Sequence, residues 1–274
     1  MQLKYRNSRN AEATARYWGK SLDKKDWYSI EAKADADEAE ILIYDVVGWP
    51  FIEASTFVRD LSAIKAKTIT LRINSPGGDV FDGTAIFNAL RAHPARIVTR
   101  IEGLAASIAS VLALAGDEVQ AYSNTIFMIH NSWTFAVGDQ NVLREVADIL
   151  EQLDGNILDA YYGKTQSGKR ELKQMMNDET WFTAKEAKER GFVDTVIDGQ
   201  AQAKALFDLS MFAHAPETFT ASGKEPTERE IERLLRDAGV PRNKAKAILA
   251  GCRTVNGECK EAAANVLKII AGGR

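Results

Sequence analysis

Buried strands that alternate with helices most restrict how this chain can fold. Two continuous apolar and β-branched runs, ILIYDVV at 41–47 and TITLRIN at 68–74, are typical of strands buried on both faces. Apolar residues at helical spacing lie between them, and a second helix, VFDGTAIFNALRAH, ends before Pro94 because proline cannot continue it. This order predicts an α/β fold with right-handed crossovers and a largely parallel sheet.

The same alternation continues after Pro94. The run IVTRIE predicts a strand that ends at Gly103, followed by a helix with Ser107 in its first turn. The remaining predicted elements are strands EVQAY, TIFMIH and FVDTVI, a long helix over 139–163, and a short helix that opens with the capping box TAKE and ends at Gly191. Periodicity is then lost over 199–226, which predicts a linker, and helical patterns return over 227–274.

Composition excludes several functional classes. The 274 residues carry a net charge of −3, so no overall field favours nucleic acid or an anionic membrane as a partner. No apolar run is long enough to span a bilayer, and the polar N-terminus does not resemble a secretory signal. Cys252 and Cys259 lack the second pair that a zinc site needs. We therefore expect free thiols in a reducing compartment and a soluble, cytoplasmic protein with no metal.

Ser107 and His130 are candidates for nucleophilic chemistry. A serine at the start of a helix that follows a parallel strand lies at the sheet edge where α/β proteins bind ligands. His130 ends the apolar run TIFMIH, which delivers an imidazole to the same edge. Taken alone, Ser107 is better explained as a small residue in a close-packed helix, and His130 is equally well explained as a strand-end histidine bonded to a loop.

The turn NSPGG at 74–78 follows a buried strand, and its glycines permit a close backbone approach. The backbone N–H groups of Gly78 and Ile108 are candidates for the two donors of an oxyanion hole. Phosphate binding is the rival interpretation, but no Walker lysine follows the glycines.

Four collinear blocks resemble the signatures of one protein family. The blocks INSPGGDVFDG, GLAASIAS, FMIHNS and ETWFTAKEAKERGFVD are similar to those of the Clp protease proteolytic subunit family, and most similar to its phage-type head maturation proteases. The resemblance covers about 41–197. It implies the Clp protease/crotonase-like fold of repeated β-β-α type units, with a protruding handle helix and here a small C-terminal helical segment.

The resemblance also implies residue roles. Ser107 matches the nucleophile, His130 the general base, and the N–H groups of Gly78 and Ile108 the oxyanion donors. Glu179 matches the triad acid, where cellular members have aspartate, and its neighbour Asp178 is the alternative. A substrate strand would add beside Gly77 and Gly78.

The domain organisation follows from the same comparison. We expect an N-terminal segment at 1–40, a Clp-type serine protease domain at 41–198, a linker at 199–226 and a helical segment at 227–274. The resemblance assigns the helix at 139–163 to the handle and implies a ring-like homo-oligomer. Two departures, NSWTFAVGDQ after His130 and the N-terminal segment, leave open whether rings stack and whether an AAA+ unfoldase is a partner.

The resulting functional hypothesis is a serine endopeptidase that needs no cofactor and processes capsid or scaffold proteins in phage head maturation, in the host cytoplasm or the prohead. One alternative is an acyl-CoA hydratase or isomerase of the crotonase type. Another is a catalytically idle capsid-assembly scaffold whose working part is the C-terminal helices. Those helices also permit a helix-turn-helix, but their mixed charge and lack of aromatic residues favour a protein-contact or solvated hairpin over nucleic acid binding.

Overall fold

A mixed sheet of eight strands carries helices on one face. The computed structural model describes residues 28–32, 37–48, 50–165, 167–199, 207, 209 and 212–216. The strands are β1 Tyr28–Ala32, β2 Glu38–Ile43, β3 Thr68–Ser75, β4 Arg96–Ala106, β5 Glu118–Tyr122, β6 Ile126–Ile129, β7 Thr180–Thr183 and β8 Thr195–Ile197. The helices are α1 Ala54–Ala63, α2 Val80–Ala92, α3 Ile108–Ala113, α4 Gln140–Lys164, α5 Lys169–Asn177 and α6 Ala184–Glu189.

The sheet is parallel through its centre. Strands follow the order β1-β2-β3-β4-β5-β8, and β6 pairs with the end of β4 and with β7. Among the described strands, only the β1–β2 and β6–β7 pairs are antiparallel. The predicted α/β class with a largely parallel sheet is confirmed, whereas β1, β7 and α5 were not predicted.

Alternation along each central strand separates the two faces of the sheet. Ile69, Leu71 and Ile73 of β3 are fully buried under the helices, while Thr70 and Arg72 lie half-buried on the opposite face. The largest core cluster includes side chains of this kind from β2 to β6 together with α1 to α6. The core therefore lies between the sheet and its helices.

The predicted end of the fourth strand at Gly103 is wrong. β4 continues to Ala106, because Leu104, Ala105 and Ala106 pair in parallel with Ile126, Phe127 and Met128 of β6. Ser107 consequently lies just before α3, as its N-cap residue, and not within the first turn. The local sequence gave no sign of this pairing because the partner strand lies more than 20 residues further along the chain.

The predicted helix over 139–163 corresponds to α4, with Asp139 as its N-cap. Asp139 accepts hydrogen bonds from the amides of Asn141 and Val142, which satisfies two of the free donors of the first turn. Only Ile157 and Tyr161 are buried, so the first half of the helix stands clear of the core. Among the described helices, none is both long and apolar enough to cross a bilayer.

The capping box at the start of α6 is confirmed. Thr183 accepts from the amide of Glu186, and the Glu186 carboxylate accepts from the amide of Thr183. Gly191 ends the turn after this helix with φ +84°, a conformation that glycine adopts without a Cβ penalty. The predicted domain boundaries stay predictions, and the helical segment at 227–274 lies outside the described residues.

Candidate active site

Ser107 lies at the turn from β4 into α3 in an unusual backbone conformation. Its φ of 55° and ψ of −133° are rare for a residue with a side chain. Its amide donates to the carbonyl of Met128 at 3.1 Å, which joins the turn to β6. In α/β hydrolases a strained strand-to-helix turn of this kind exposes a nucleophile.

Gly77 permits the chain to pass directly over Ser107. A Cβ at Gly77 would lie 2.6 Å from the Ser107 Cβ and 3.1 Å from its Oγ, and the φ of Gly77 is +99°. A side chain at this position would therefore fill the space at the serine hydroxyl. The glycine keeps the hydroxyl accessible from this side.

His130 follows β6 and is hydrogen-bonded to Ser107. Its Nε2 lies 2.7 Å from the Ser107 Oγ. Burial lowers the pKa of His130 below 6.5, because desolvation disfavours the charged ring; the charges of Glu179 and Asp154 oppose this shift. The imidazole is therefore neutral at neutral pH and able to accept a proton.

The backbone amides of Gly78 and Ile108 have no protein acceptor among the described residues. Val47 donates to the carbonyl of Gly77 and accepts from the amide of Asp79, both at 2.8 Å. Because N–H and C=O groups alternate in direction along an extended chain, the N–H of Gly78 points away from Val47. Ile108 is the first residue of α3, where an amide has no partner within the helix.

Glu179 lies close to His130 but bonds to other groups. Its Oε1 accepts from the indole Nε1 of Trp181 at 3.1 Å and from the amide of His214 at 2.7 Å, and its Oε2 accepts from the amide of Ala213 at 2.9 Å. No hydrogen bond joins its carboxylate to His130, although its charge raises the pKa of that ring. Glu179 itself has a positive φ of 47°.

Asp178, the alternative acid, is directed elsewhere. It is exposed at the C-terminal end of α5, and both of its carboxylate oxygens accept from the side-chain amide of Gln174, at 2.9 and 3.0 Å. Its charge is not among those that shift the pKa of His130. Of the two neighbouring carboxylates, Glu179 is the one whose charge raises the pKa of His130.

Helix α4 connects to the site through residues that the sequence analysis missed. The Asp154 carboxylate accepts from the amide and hydroxyl of Ser132, at 2.6 and 2.7 Å, and so fixes the chain two residues after His130. The Ser110 hydroxyl donates to the carbonyl of Ser107 at 2.5 Å and bonds to the Tyr161 hydroxyl at 2.7 Å. These contacts join distant segments, and no local motif marks them.

Comparison with known proteins is consistent with this geometry. The chain is 33% identical over 135 residues to the ATP-dependent Clp protease proteolytic subunit 2 of Thermobifida fusca, which covers 48% of this chain and 66% of the relative. It is 33% identical over 132 residues to the proteolytic subunit of Deinococcus radiodurans, covering 47% and 65%. The chain thus spans just under two thirds of the length of these two relatives. A third relative, the proteolytic subunit 1 of Protochlamydia amoebophila, is 29% identical over 170 residues, covering 59% and 82%.

A family model supplies the broader match. The model described as Clp protease matches residues 26–200, from just before β1 to just after β8. This range contains Ser107, His130 and Glu179 and more than half of the chain. The chain therefore belongs to the Clp protease family.

Proposed function

We propose that this chain is a serine endopeptidase that hydrolyses peptide bonds through an acyl-enzyme. Ser107 is the nucleophile, His130 the general base and Glu179 the acid that orients the imidazole. The 2.7 Å hydrogen bond between the Ser107 Oγ and the His130 Nε2 carries this proposal, because it joins a hydroxyl on a strained turn to a neutral base. A crotonase-type acyl-CoA enzyme has no need for such a pair.

The mechanism follows from these positions. With a proton on Nδ1, the His130 Nε2 accepts the Ser107 proton as Oγ attacks the peptide carbonyl carbon. The N–H groups of Gly78 and Ile108 stabilise the oxyanion of the tetrahedral intermediate. Nε2–H then protonates the leaving amine as the C–N bond breaks. A water molecule, deprotonated by the same nitrogen, hydrolyses the ester and restores Ser107. No step in this scheme draws on a cofactor.

Substrate binding uses the edge beside Gly77 and Gly78 in this proposal. An extended peptide adds there as a further strand, so that main-chain hydrogen bonds supply affinity with little sequence preference. The bridge between Val47 and Gly78 supports this, because it occupies one edge of the 77–79 backbone and leaves the Gly78 N–H on the other edge without an acceptor among the described residues.

We also propose that the chain assembles with copies of itself into a ring-like homo-oligomer. The relatives are named as subunits, and exposed apolar side chains extend from the loop after His130 into α4. These side chains are Trp133, Phe135, Val137, Leu143 and Ile149, with Val137 98% exposed. Exposed large apolar side chains close together in the chain are typical of an interaction surface. Because the relatives are named as ATP-dependent, pull-down with an AAA+ unfoldase is the test of that further partner.

Labelling with a fluorophosphonate tests the proposed chemistry. We expect the folded, assembled protein to be modified at Ser107 alone, because only this hydroxyl is bonded to a neutral imidazole among the described residues. Peptide mass spectrometry locates the adduct, and heat-denatured protein is the control. Absence of labelling in folded wild type would rule out the serine mechanism.

The finer proposal is that the substrates are capsid or scaffold proteins during phage head maturation. It is supported by the likeness of the four sequence blocks to phage-type members and by the departure NSWTFAVGDQ after His130. Wild type and Ser107→Ala should each be incubated with the capsid protein encoded beside this chain, and the product masses read. Cleavage by wild type alone supports the proposal. Uncleaved capsid precursor in the presence of a labelled, active Ser107 contradicts it. Assembly of the capsid without cleavage favours the scaffold alternative.

The acid limb of the activity profile is expected to lie below pH 6.5. Burial lowers the pKa of His130, so the neutral base persists as pH falls and activity is lost only when the ring is finally protonated. Asp154→Asn keeps the acceptor for Ser132 but removes a charge that raises this pKa, and should move the limb to lower pH. Asp159→Asn, on the exposed side of α4, is the matched control with an unmoved limb. A wild-type limb above the usual pKa of a histidine would show that burial does not lower the pKa of His130.

A further inference from the structure

A segment beyond the last strand of the sheet packs against the strands that carry the site. We call the described residues Phe207, Leu209 and 212–216 the 207–216 segment. Phe207, Leu209 and Phe212 are buried in a second apolar cluster that is separate from the main core. The strand residues of this cluster are Leu104, Ala106 and Met128, with Ile126 at its edge.

This second cluster lies directly behind the nucleophile. Ala105 faces the main core, so its neighbours Leu104 and Ala106 face the opposite side of β4. Ala106 immediately precedes Ser107, and the carbonyl of Met128 accepts the Ser107 amide. The 207–216 segment therefore supports both strands at the point where they present the serine and the histidine.

The segment also contacts the imidazole. The rings of Phe212 and His130 are 5.6 Å apart and nearly perpendicular, and Phe212 makes a similar contact with Trp181 at 5.5 Å. Edge-to-face contacts of this kind restrict the orientation of both rings. Only 9% of His130 is exposed, so Phe212 contributes to its separation from water.

The next two residues hold the Glu179 carboxylate. The amides of Ala213 and His214 donate to its two oxygens, and the Trp181 indole supplies a third donor. A carboxylate has about four acceptor positions, so one stays available, on Oε2. Among the described residues the His130 Nδ1 has no hydrogen-bond partner, and in the proposed mechanism it carries a proton.

We propose that the 207–216 segment is a positioning element that holds the Glu179 carboxylate beside His130 through the backbone N–H groups of Ala213 and His214. This inference rests on the proposed serine mechanism, in which Glu179 orients the imidazole. The segment lies beyond residues 26–200, which the family model matches. Its amides act on catalysis only through Glu179.

Proline at position 213 tests the inference in the full chain. Ala213→Pro removes one donor, whereas Ala213→Ser keeps the N–H and is the matched comparison. A hydrogen bond to a charged group corresponds to about a 10- to 100-fold change in rate, so we expect kcat of the proline variant to be lower than that of the serine variant by this factor, with KM little changed. Trp181→Phe removes the indole donor, keeps the ring beside Phe212, and is expected to lower kcat about tenfold.

Two further measurements distinguish a displaced Glu179 carboxylate from a general disturbance of the fold. Displacing Glu179 removes a charge that raises the pKa of His130, so the acid limb of the proline variant should move to lower pH. In a Glu179→Gln background, Ala213→Pro should cause no further loss, because the amides then have no carboxylate to hold. For variants whose peptide hydrolysis is too slow to measure, the rate of fluorophosphonate labelling of Ser107 replaces kcat in both comparisons.

The outcomes are distinct. Equal losses with and without Glu179, or higher activity in the proline variant, would overturn the inference; the latter would mean that the segment withholds the carboxylate from His130. If Ala213→Pro does not fold, His214→Pro, which removes the other amide donor of the segment, decides in the same way in the two backgrounds. Unlabelled, inactive wild type would instead overturn the serine mechanism itself.

Discussion

Ser107→Ala is expected to lower kcat for peptide hydrolysis by a factor on the order of 10⁶, the loss seen when the nucleophile of a serine triad is removed. The reason is that His130 then has no hydroxyl to deprotonate, and the bond at 2.7 Å disappears. The amides of Gly78 and Ile108 stay in place, so a small residual rate above that of water should persist. Release of fluorescein from labelled casein measures the change.

A matched serine variant provides the control. Ser62 lies on the exposed face of α1, and its hydroxyl donates to the carbonyl of Arg59 within its own helix, so Ser62→Ala should keep wild-type activity. Both variants should show the same unfolding midpoint as wild type. If Ser107→Ala retains more than a small fraction of the activity, another group is the nucleophile.

Gly78→Ala is expected to destabilise the fold by about 2–6 kcal/mol, from backbone strain and from overpacking. The added Cβ would lie 2.0 Å from the carbonyl oxygen of Val47, and φ is +144°. Neither problem can be relieved by a flexible side chain, because the obstructing atoms belong to the backbone of a bridged strand. The loss is a large part of the stability of a typical domain.

Denaturant unfolding of both proteins measures this effect. Gly155→Ala is the matched control, because nothing lies within 4 Å of a Cβ at that position and it occupies the interior of α4. That variant should gain about 0.5–1 kcal/mol from the higher helix propensity of alanine. An unchanged unfolding midpoint in Gly78→Ala would show that the loop at 77–78 rearranges freely, which contradicts the proposed fixed oxyanion donor.

The central architecture could be predicted from the sequence because its signals are local. Strands β2, β3 and β5 and helices α1, α2 and α4 follow from continuous apolar runs, helical spacing and caps. β1 and β7 were missed because short strands such as TWFT owe their conformation to a partner strand. The extension of β4 past Gly103 was missed for the same reason.

The candidate site could likewise be predicted only in part from the sequence. The order of the predicted strands and helices indicated that Ser107 and His130 are neighbours at one edge of the sheet. Glu179 was identified from the resemblance to the Clp protease family. The bonds from Ala213 and His214 to Glu179 span 34 and 35 residues, and those from Ser132 to Asp154 span 22. No periodicity or motif encodes contacts of this length, which depend on how the whole chain packs. The catalytic roles themselves stay proposals.

The pairing of β6 with β4 has a consequence for how this domain tolerates changes in length. Ala106 is opposite Met128, and His130 lies two residues further, on the same side of β6 as Met128. An insertion or deletion of one residue within 126–130 would turn the ring to the opposite side of the sheet and separate it from Ser107. Additional residues in the exposed stretch 133–138 would leave that alignment intact. Natural and engineered variants should therefore differ in length after Ser132 and keep the spacing before it.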